Sequence, residues 1–553
     1  MTTLFDIFGY AGVVLRGLDL VAQTLVIGSV AFALWIVAPL DDPAQRDMRR
    51  IAADTRRVIA FASVVAVVTA VATTALSALV LSASIGASLQ QVAGATFVVA
   101  GAVKAFAAAV VGACALVGSR TRAWARIAMG AGALALLCAS VATTHAVARI
   151  HDAGLLMVGT AMHELGAALW LGGLLCFRLA LLRAENPQIA SRIGRRYSAQ
   201  AIVGVGLIAC GAVVFAVRYI GSLAAVYGTA YGAMAATKSV LLLLLLLLGL
   251  ANFRALRRVT AGAAALRRVA RFVEIEMGIG VAALMAAASI TSLPPGVDLV
   301  EDRLAWPEIA ARMAPVPPRL ASPDRDALSI PALQAQLDTE AAKEGRSLRA
   351  HAYIFGEIEP PPRNASDIAW SEYNHHWAGL LVAAMGIAAL ARKSGRVPWT
   401  RHWPLLFLVL AAFLFFRADA EVWPLGDIGF IASLRDPEVF QHRIFVALIA
   451  GFAWFEWGVS TGRVVSRPLR RVFPLLTALA ATLLLTHSHA LGNVKEELLT
   501  ELTHLPIAVL GIVAGWARWL EVEAPAEEGR WSGWIWPACL VGIGMLLLAY
   551  REA

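Results

Sequence analysis

The residues best suited to chemistry stand in the stretch THAVARIHDAGLLMVGTAMHELGAALWLGG, from Thr144 to Gly173. His145, His151 and His163 fall at the end of one apolar run, in a short polar break, and inside the next run. Gly159, His163, Gly166, Trp170 and Gly173 recur at helical spacing, so one face of the second run carries an imidazole among small residues, where another helix can approach closely. A histidine and Glu164 are costly to bury in hydrocarbon, which makes them functional candidates, and neutral imidazole suits a soft or borderline metal ion.

These residues need a membrane to position them. The 553-residue chain is 59% hydrophobic and 15% charged, and its apolar runs reach spanning length many times over, so the sequence predicts an all-α polytopic membrane protein. About fourteen transmembrane helices are expected, because no backbone group stays unpaired in lipid. Eight fall in a membrane domain over 1–292 and six in a second, histidine-rich membrane domain over 374–553, including spans near 375–391, 472–487 and 532–550. A Pro-rich loop over 293–373 separates them, with one short helix expected from Ser329 through Arg346, Ser329 as its cap and Pro331 in its first turn. The five cysteines lie in apolar runs without short pair spacing and read as small buried hydrophobes. No enzyme motif is visible, and no GxxxxGK[ST] loop offers a seat for ATP-driven pumping.

Arginine orients the chain. Connections holding Arg46, Arg49, Arg50, Arg56 and Arg57, then Arg120, Arg122 and Arg126, then Arg183, Arg192, Arg195 and Arg196, then Arg254, Arg257, Arg258, Arg267, Arg268 and Arg271, alternate with connections nearly free of basic residues. The alternation continues through Arg392 to Arg401 and Arg463 to Arg471, which makes the basic loops cytoplasmic and both termini periplasmic. The net charge of +9 therefore reflects topology and implies no nucleic-acid partner. On this topology His145, His151, His375, His376, His442, His487, His489 and His504 fall at or near external span ends, His163 lies deeper in a span that begins outside, and His402 is cytoplasmic. His351 reads as a loop surface residue.

The nine external histidines are the candidate metal ligands, with His145 and His163 as the core of a first-half site and His151, Met157 or Met162 beside them. Copper and zinc both suit imidazole, while the sparse methionines argue against a methionine-only copper(I) relay. Haem b held by histidines on facing helices, for example His376, His442, His487 and His504, is the alternative, making an electron-transfer cytochrome. An internal echo pairs TTHAVARIHD and MHELGAALWLGG with LTHSHALGN and THLPIAVLGIVAGW, each a span ending in Thr-His, a break, and a returning span with histidine in its outer half. Lys104, Lys238, Glu164, Trp170 and Tyr231 are candidates for a transport path or for structural support, Glu164 as a hydrogen-bonding partner of a metal-bearing imidazole. Arg16 with Asp19 and Arg218 are expected as snorkelling side chains or structural pairs, and Glu274 and Glu276 as partly solvated near the cytoplasmic end.

Ser198, Tyr231, Gly232, Lys238 and Asn252, within RYSAQAIVGVGLIACGAVVFAVRYIGSLAAVYGTAYGAMAATKSVLLLLLLLLGLANFRALRRV, resemble the signature region of the bacterial copper resistance protein D (CopD) family. The upstream MHELGAALWLGGL resembles its His-containing, Trp-Leu-Gly-Gly span, and the second half resembles the extension of larger proteobacterial members. The resemblance implies an inner-membrane protein that moves copper from periplasm toward cytoplasm or supplies copper enzymes. It also implies a separate periplasmic copper chaperone, since no copper-binding domain is fused at either end. A copper-insertion scaffold that moves no ion is the other reading.

Reporter fusions test the topology: at Arg122, Arg195 and Gly395 they should report cytoplasm, and at Asp326 and the C-terminus periplasm. A cytoplasmic report at Asp326 would reverse every histidine assignment.

Overall fold

The computed structural model describes residues 2–40, 42, 45–117, 123–144, 146–147, 149, 151–257, 262–345, 361–434, 437–486, 494–525 and 531–552. His145, His351, His487 and His489, with Arg120, Arg122, Arg258 and Arg346, lie outside the described residues. The described chain is helical, and eleven helices are long and apolar enough to cross a membrane. They are α1 (Ala11–Leu40), α2 (Arg46–Ile85), α3 (Thr96–Val117), α4 (Ala123–Ala142), α5 (Ala153–Arg183), α6 (Pro187–Ile220), α7 (Ala230–Leu256) and α8 (Ala265–Ile290), followed, after α9 (Ser329–Lys343) and α10 (Ala365–Lys393), by α11 (Pro398–Arg417) and α12 (His442–Ser460), and, after α13 (Val472–Leu484), by α14 (Val494–Glu523). The other three expected spans fall on α10, which carries Asp367, Glu372 and two histidines in its first turns, on the short α13, and on the short apolar α15 (Ser532–Leu548).

The chain divides into two compact units, one of Phe8–Arg303 with Leu485–Ala490 and one of Met1–Ile7, Leu304–Leu484 and Leu491–Ala553. In the first unit the small-residue face of α5 meets α6, as its spacing predicts. A side chain at Gly166 would meet the Gly204 carbonyl at 2.5 Å, and one at Gly204 would meet the Gly166 carbonyl at 2.7 Å, so the two backbones pack without Cβ atoms between them. The α5 helix tightens into a 3-10 turn over Leu171–Gly173, which brings Gly172 against the backbone of α1 at Thr24 and Gly28. The Trp-Leu-Gly-Gly motif is thus the point where α5 crosses α1. Around Leu169 and Trp170, on the way into the break, the backbone carbonyls take donors from α6: Gln200 Nε2 to Leu169 O at 2.8 Å and the Tyr197 hydroxyl to Trp170 O at 2.5 Å. α6 itself ends in a π-helical turn over Ala216–Ile220, a widening that often marks functional segments.

In the second unit α10 packs on α15 and α14 on α13, around Met385, Trp403, Phe473 and Trp536. One end is tied by ions: Arg518 pairs with Glu456 at 2.6 Å and Glu521 at 2.7 Å, Lys393 also pairs with Glu521, and Arg471 pairs with Glu523 at 2.7 Å. These groups border the basic connections from which the cytoplasmic side is read. The loop helix spans Ser329–Lys343 with Pro331 in its first turn, but its N-cap is Leu328, and Ser329 N–H is taken instead by the Asp367 carboxylate at 3.1 Å. Among the cysteines, Cys114, Cys176 and Cys539 are buried as expected, whereas Cys138 and Cys210 are exposed. Both sit within long apolar helices, and hydrocarbon accepts an outward thiol as readily as a protein core does.

Gly166→Leu or Gly204→Leu should destabilise the protein by about 1–3 kcal/mol through overpacking, read as a fall in Tm in detergent. Gly206, on the same α6 helix with open space at its Cα, should accept leucine without a fall; equal effects at Gly204 and Gly206 would contradict this packing.

Candidate functional site

His163 projects from the α5 face that packs on α6. Its Nδ1 lies 3.2 Å from the Ile208 carbonyl, which can only accept, so Nδ1 carries the proton and Nε2 the lone pair. The ring meets Phe215 edge-on at 5.3 Å, and aromatic contacts continue through Tyr219 at 5.8 Å to Tyr231 at 6.0 Å. Arg149, paired with Asp298 at 3.0 Å, sits over the Tyr219 ring. His151 is exposed. Its neighbour Asp152 has a left-handed φ of 64° and pairs with Arg218 at 3.1 Å, the structural pairing that is one of the two readings of Arg218. Lys238 of α7 stands close enough to His163 for its charge to act on the imidazole, and Gly232 brings α7 against the backbone of Ala225 and Val226.

Glu164 faces away from this chain of rings. Its partners are Gln23 on α1, at 3.3 Å, and Ser140 on α4, so it does not orient His163. Asp19 is buried against Lys104 on α3 and accepts a hydrogen bond from Thr69 on α2 at 3.1 Å. The expected Arg16–Asp19 pair is therefore replaced: Asp19 turns to the lysine of another helix, and Arg16 donates to Thr291 Oγ1 at 2.6 Å. A buried ammonium needs a carboxylate in contact with it, whereas the part-buried Arg16 guanidinium is met by a hydroxyl. Glu276 also departs from expectation, being 3% exposed, while Glu274 pairs with Arg178 at 2.8 Å. Trp170 is buried, and its indole N–H donates to Glu276 at 2.6 Å, which gives it a polar role in addition to packing.

In the second unit His375, His376, His442 and His504 gather at the end opposite the ionic cluster. His375 and His504 each direct Nδ1 at the carbonyl four residues back, Ser371 O and Thr500 O, both at 2.9 Å. His375 stacks on Tyr550 at 3.8 Å, and His504 meets the same ring edge-on at 6.3 Å. His442 holds Asp419 through Nδ1 at 2.7 Å. Anchoring Nδ1 on a carbonyl or carboxylate is how ligating imidazoles are oriented toward a metal at Nε2. His376 differs: it accepts from Arg319 N–H at 2.7 Å and donates from Nε2 to Tyr550 O at 2.9 Å, so neither nitrogen is left for a metal or haem iron. His402 lies at the other end, accepting from the Trp457 indole at 2.8 Å.

The tail past α15 locks this end. Glu552 accepts from Tyr550 at 2.7 Å and from Ser371, and pairs with Arg363 at 2.6 Å. Burial alone would push its carboxyl up, but the Ser371 and Tyr550 hydrogen bonds and the Arg363 charge hold it below the usual carboxylate range. No group of three or more His, Cys, Asp or Glu side chains among the described residues is arranged to hold a metal ion. The His163 and His504 segments of the internal echo also differ in detail, since His163 is anchored on the neighbouring helix and His504 on its own. Residue type and spacing alone do not single out Tyr550, Gln23 and Ser140. Of these only Gln23 carried a signal, one helical turn after Asp19 on the same face.

Asp19→Asn should destabilise the first unit by about 3–5 kcal/mol by leaving Lys104 buried without its partner, seen as a lower Tm in detergent. The double change Asp19→Leu with Lys104→Met should recover most of the loss, and an unchanged Tm for Asp19→Asn would contradict the pairing.

Residues 191–290 match the family Copper resistance protein D. Over 163 residues the chain is 32% identical to the copper transport protein CutJ of Bacillus subtilis (strain 168), a match covering 29% of this chain and 29% of that relative's length. No solved structure matches. The matched family region is α6 beyond its first residues, α7 and α8, and it contains Tyr197, Gln200, Ile208, Phe215, Tyr231, Lys238, Asn252 and Glu276. With eleven helices among the described residues long and apolar enough to cross a membrane this is a multi-pass inner-membrane protein, and its residues 191–290 are similar to the copper resistance protein D family.

Proposed function

We propose that the protein collects copper at the periplasmic face of the inner membrane and passes it toward the cytoplasm or to copper enzymes, acting as a carrier and not as an enzyme. The family match over 191–290 carries this reading, and the similarity to a protein named for copper transport supports it. The chain reads as fourteen crossings with both termini outside, α10, α13 and α15 completing the eleven.

The chemistry of the described imidazoles suits the cargo. His163 in the first unit and His375, His442 and His504 in the second are each fixed at Nδ1 by an acceptor, which sets the tautomer in which Nε2 is the ligand. Imidazole accepts both copper oxidation states. On the external side a periplasmic chaperone delivers the ion, and His151 with the Arg149–Asp298 pair forms the rim it meets. His376 serves structure, tying α10 to the tail.

Metal analysis of the purified full-length protein, alongside its visible spectrum, tests this. Copper should be bound without a Soret band. His163→Ala should lower copper stoichiometry or raise Kd by about tenfold or more, the scale of losing one oriented ligand or its support, while His402→Ala leaves binding intact. Stoichiometric haem, or copper unaffected by His163→Ala together with His375→Ala, would contradict the proposal.

A further inference from the structure

One carboxylate of the first unit stands apart from the candidate copper ligands and is met by neutral donors alone among the described residues. Glu276 on α8 is 3% exposed. Trp170 Nε1–H donates to its Oε1 at 2.6 Å and Asn252 Nδ2–H to its Oε2 at 2.8 Å. Both donors are neutral, and no basic side chain pairs with Glu276 among the described residues; the arginine nearest in sequence on α5, Arg178, is taken by Glu274. The other titratable group facing it is Tyr197 of α6, whose hydroxyl is given to Trp170 O. On α7 the facing residues are Asn252 and Gly249.

An ionised Glu276 leaves one uncompensated negative charge in the bilayer, and a single positive charge must balance it.

The donor set decides which cation that is. Indole and amide N–H groups aimed at a carboxylate cannot ligate a metal, and the site offers neither the sulfur nor the imidazole that copper selects. The proton remains. Beside Glu276 stands a buried amide whose oxygen has no partner among the described residues, Asn252 Oδ1. Such an amide donates N–H to an ionised carboxylate and, turned by half a rotation, accepts O–H from a protonated one, so it serves both states.

We propose that Glu276 is an exchangeable proton-binding site of the first unit and that it carries a proton movement linked to the cargo. The proton site stands on the geometry alone; the link to copper rests on the function proposed above. The experiment separates the two. Infrared difference spectra between acid and alkaline pH, on full-length protein in lipid vesicles, should show a protonated-carboxyl stretch that is lost in Glu276→Gln, kept in Glu274→Gln, and kept with a shift in Glu276→Asp, which preserves the carboxyl. A Glu276→Gln spectrum equal to that of the wild type overturns the proton site. In vesicles loaded with a pH dye, addition of copper(I) should give uptake with a change of internal pH, and Glu276→Gln should abolish the pH change. Uptake by the wild type with no pH change overturns the link, whereas absence of uptake by the wild type refutes copper transport and leaves the infrared result to decide the proton site.

Discussion

Hydrocarbon does not solvate polar groups, and every polar group of this chain that enters the membrane is placed by that constraint. The Trp-Leu-Gly-Gly break in α5 disturbs backbone carbonyls in a region where water is absent, and Tyr197 and Gln200 of α6 close on Trp170 O and Leu169 O. That closure sets the register of α5 on α6, and the glycine contacts at Gly166 and Gly204 allow it. With the register set, His163 meets Ile208 O and Phe215, and the Trp170 indole reaches Glu276. One helix therefore carries the imidazole candidate on one face and reaches both buried carboxylates from others.

The second unit obeys the same constraint by sorting its polar groups to opposite ends. Arginines and glutamates close one end in ion pairs, with Arg518 shared between Glu456 and Glu521. Imidazoles occupy the other, tied to helix carbonyls, to Asp419 and to the Tyr550 ring. The histidine-rich end is thereby kept apart from the basic end of the same unit. Tyr550 and Glu552 make the tail past α15 part of the histidine-rich end.

Much of this was legible in the sequence, and the reasons for the exceptions are physical. The Gly159 to Gly173 spacing announced a close helix contact because small side chains at helical period have that consequence whichever helix arrives. Which helix arrives was not legible, so α6 could not be named as the partner. For the same reason the sequence pairs Asp19 with Arg16, its neighbour along α1, although its partner Lys104 comes from α3. His375 and His376 look equivalent as adjacent letters, yet a step of about 100° around a helix sends one to its own helix carbonyl and a tyrosine face, and the other between Arg319 and Tyr550. Glu276 looked solvated from its nearness to the basic loop, because burial by Trp170, six residues past Glu164, has no signature in the local sequence.

The central claim is that copper is held by imidazoles whose Nδ1 atoms are already anchored. X-ray absorption at the copper edge of the copper-loaded, full-length protein tests it most directly. The account predicts a nitrogen shell with the outer scattering pattern of imidazole, reduced in His163→Ala or in His375→Ala, and no sulfur shell. A sulfur-dominated shell, or an imidazole pattern unchanged in both variants, would contradict it.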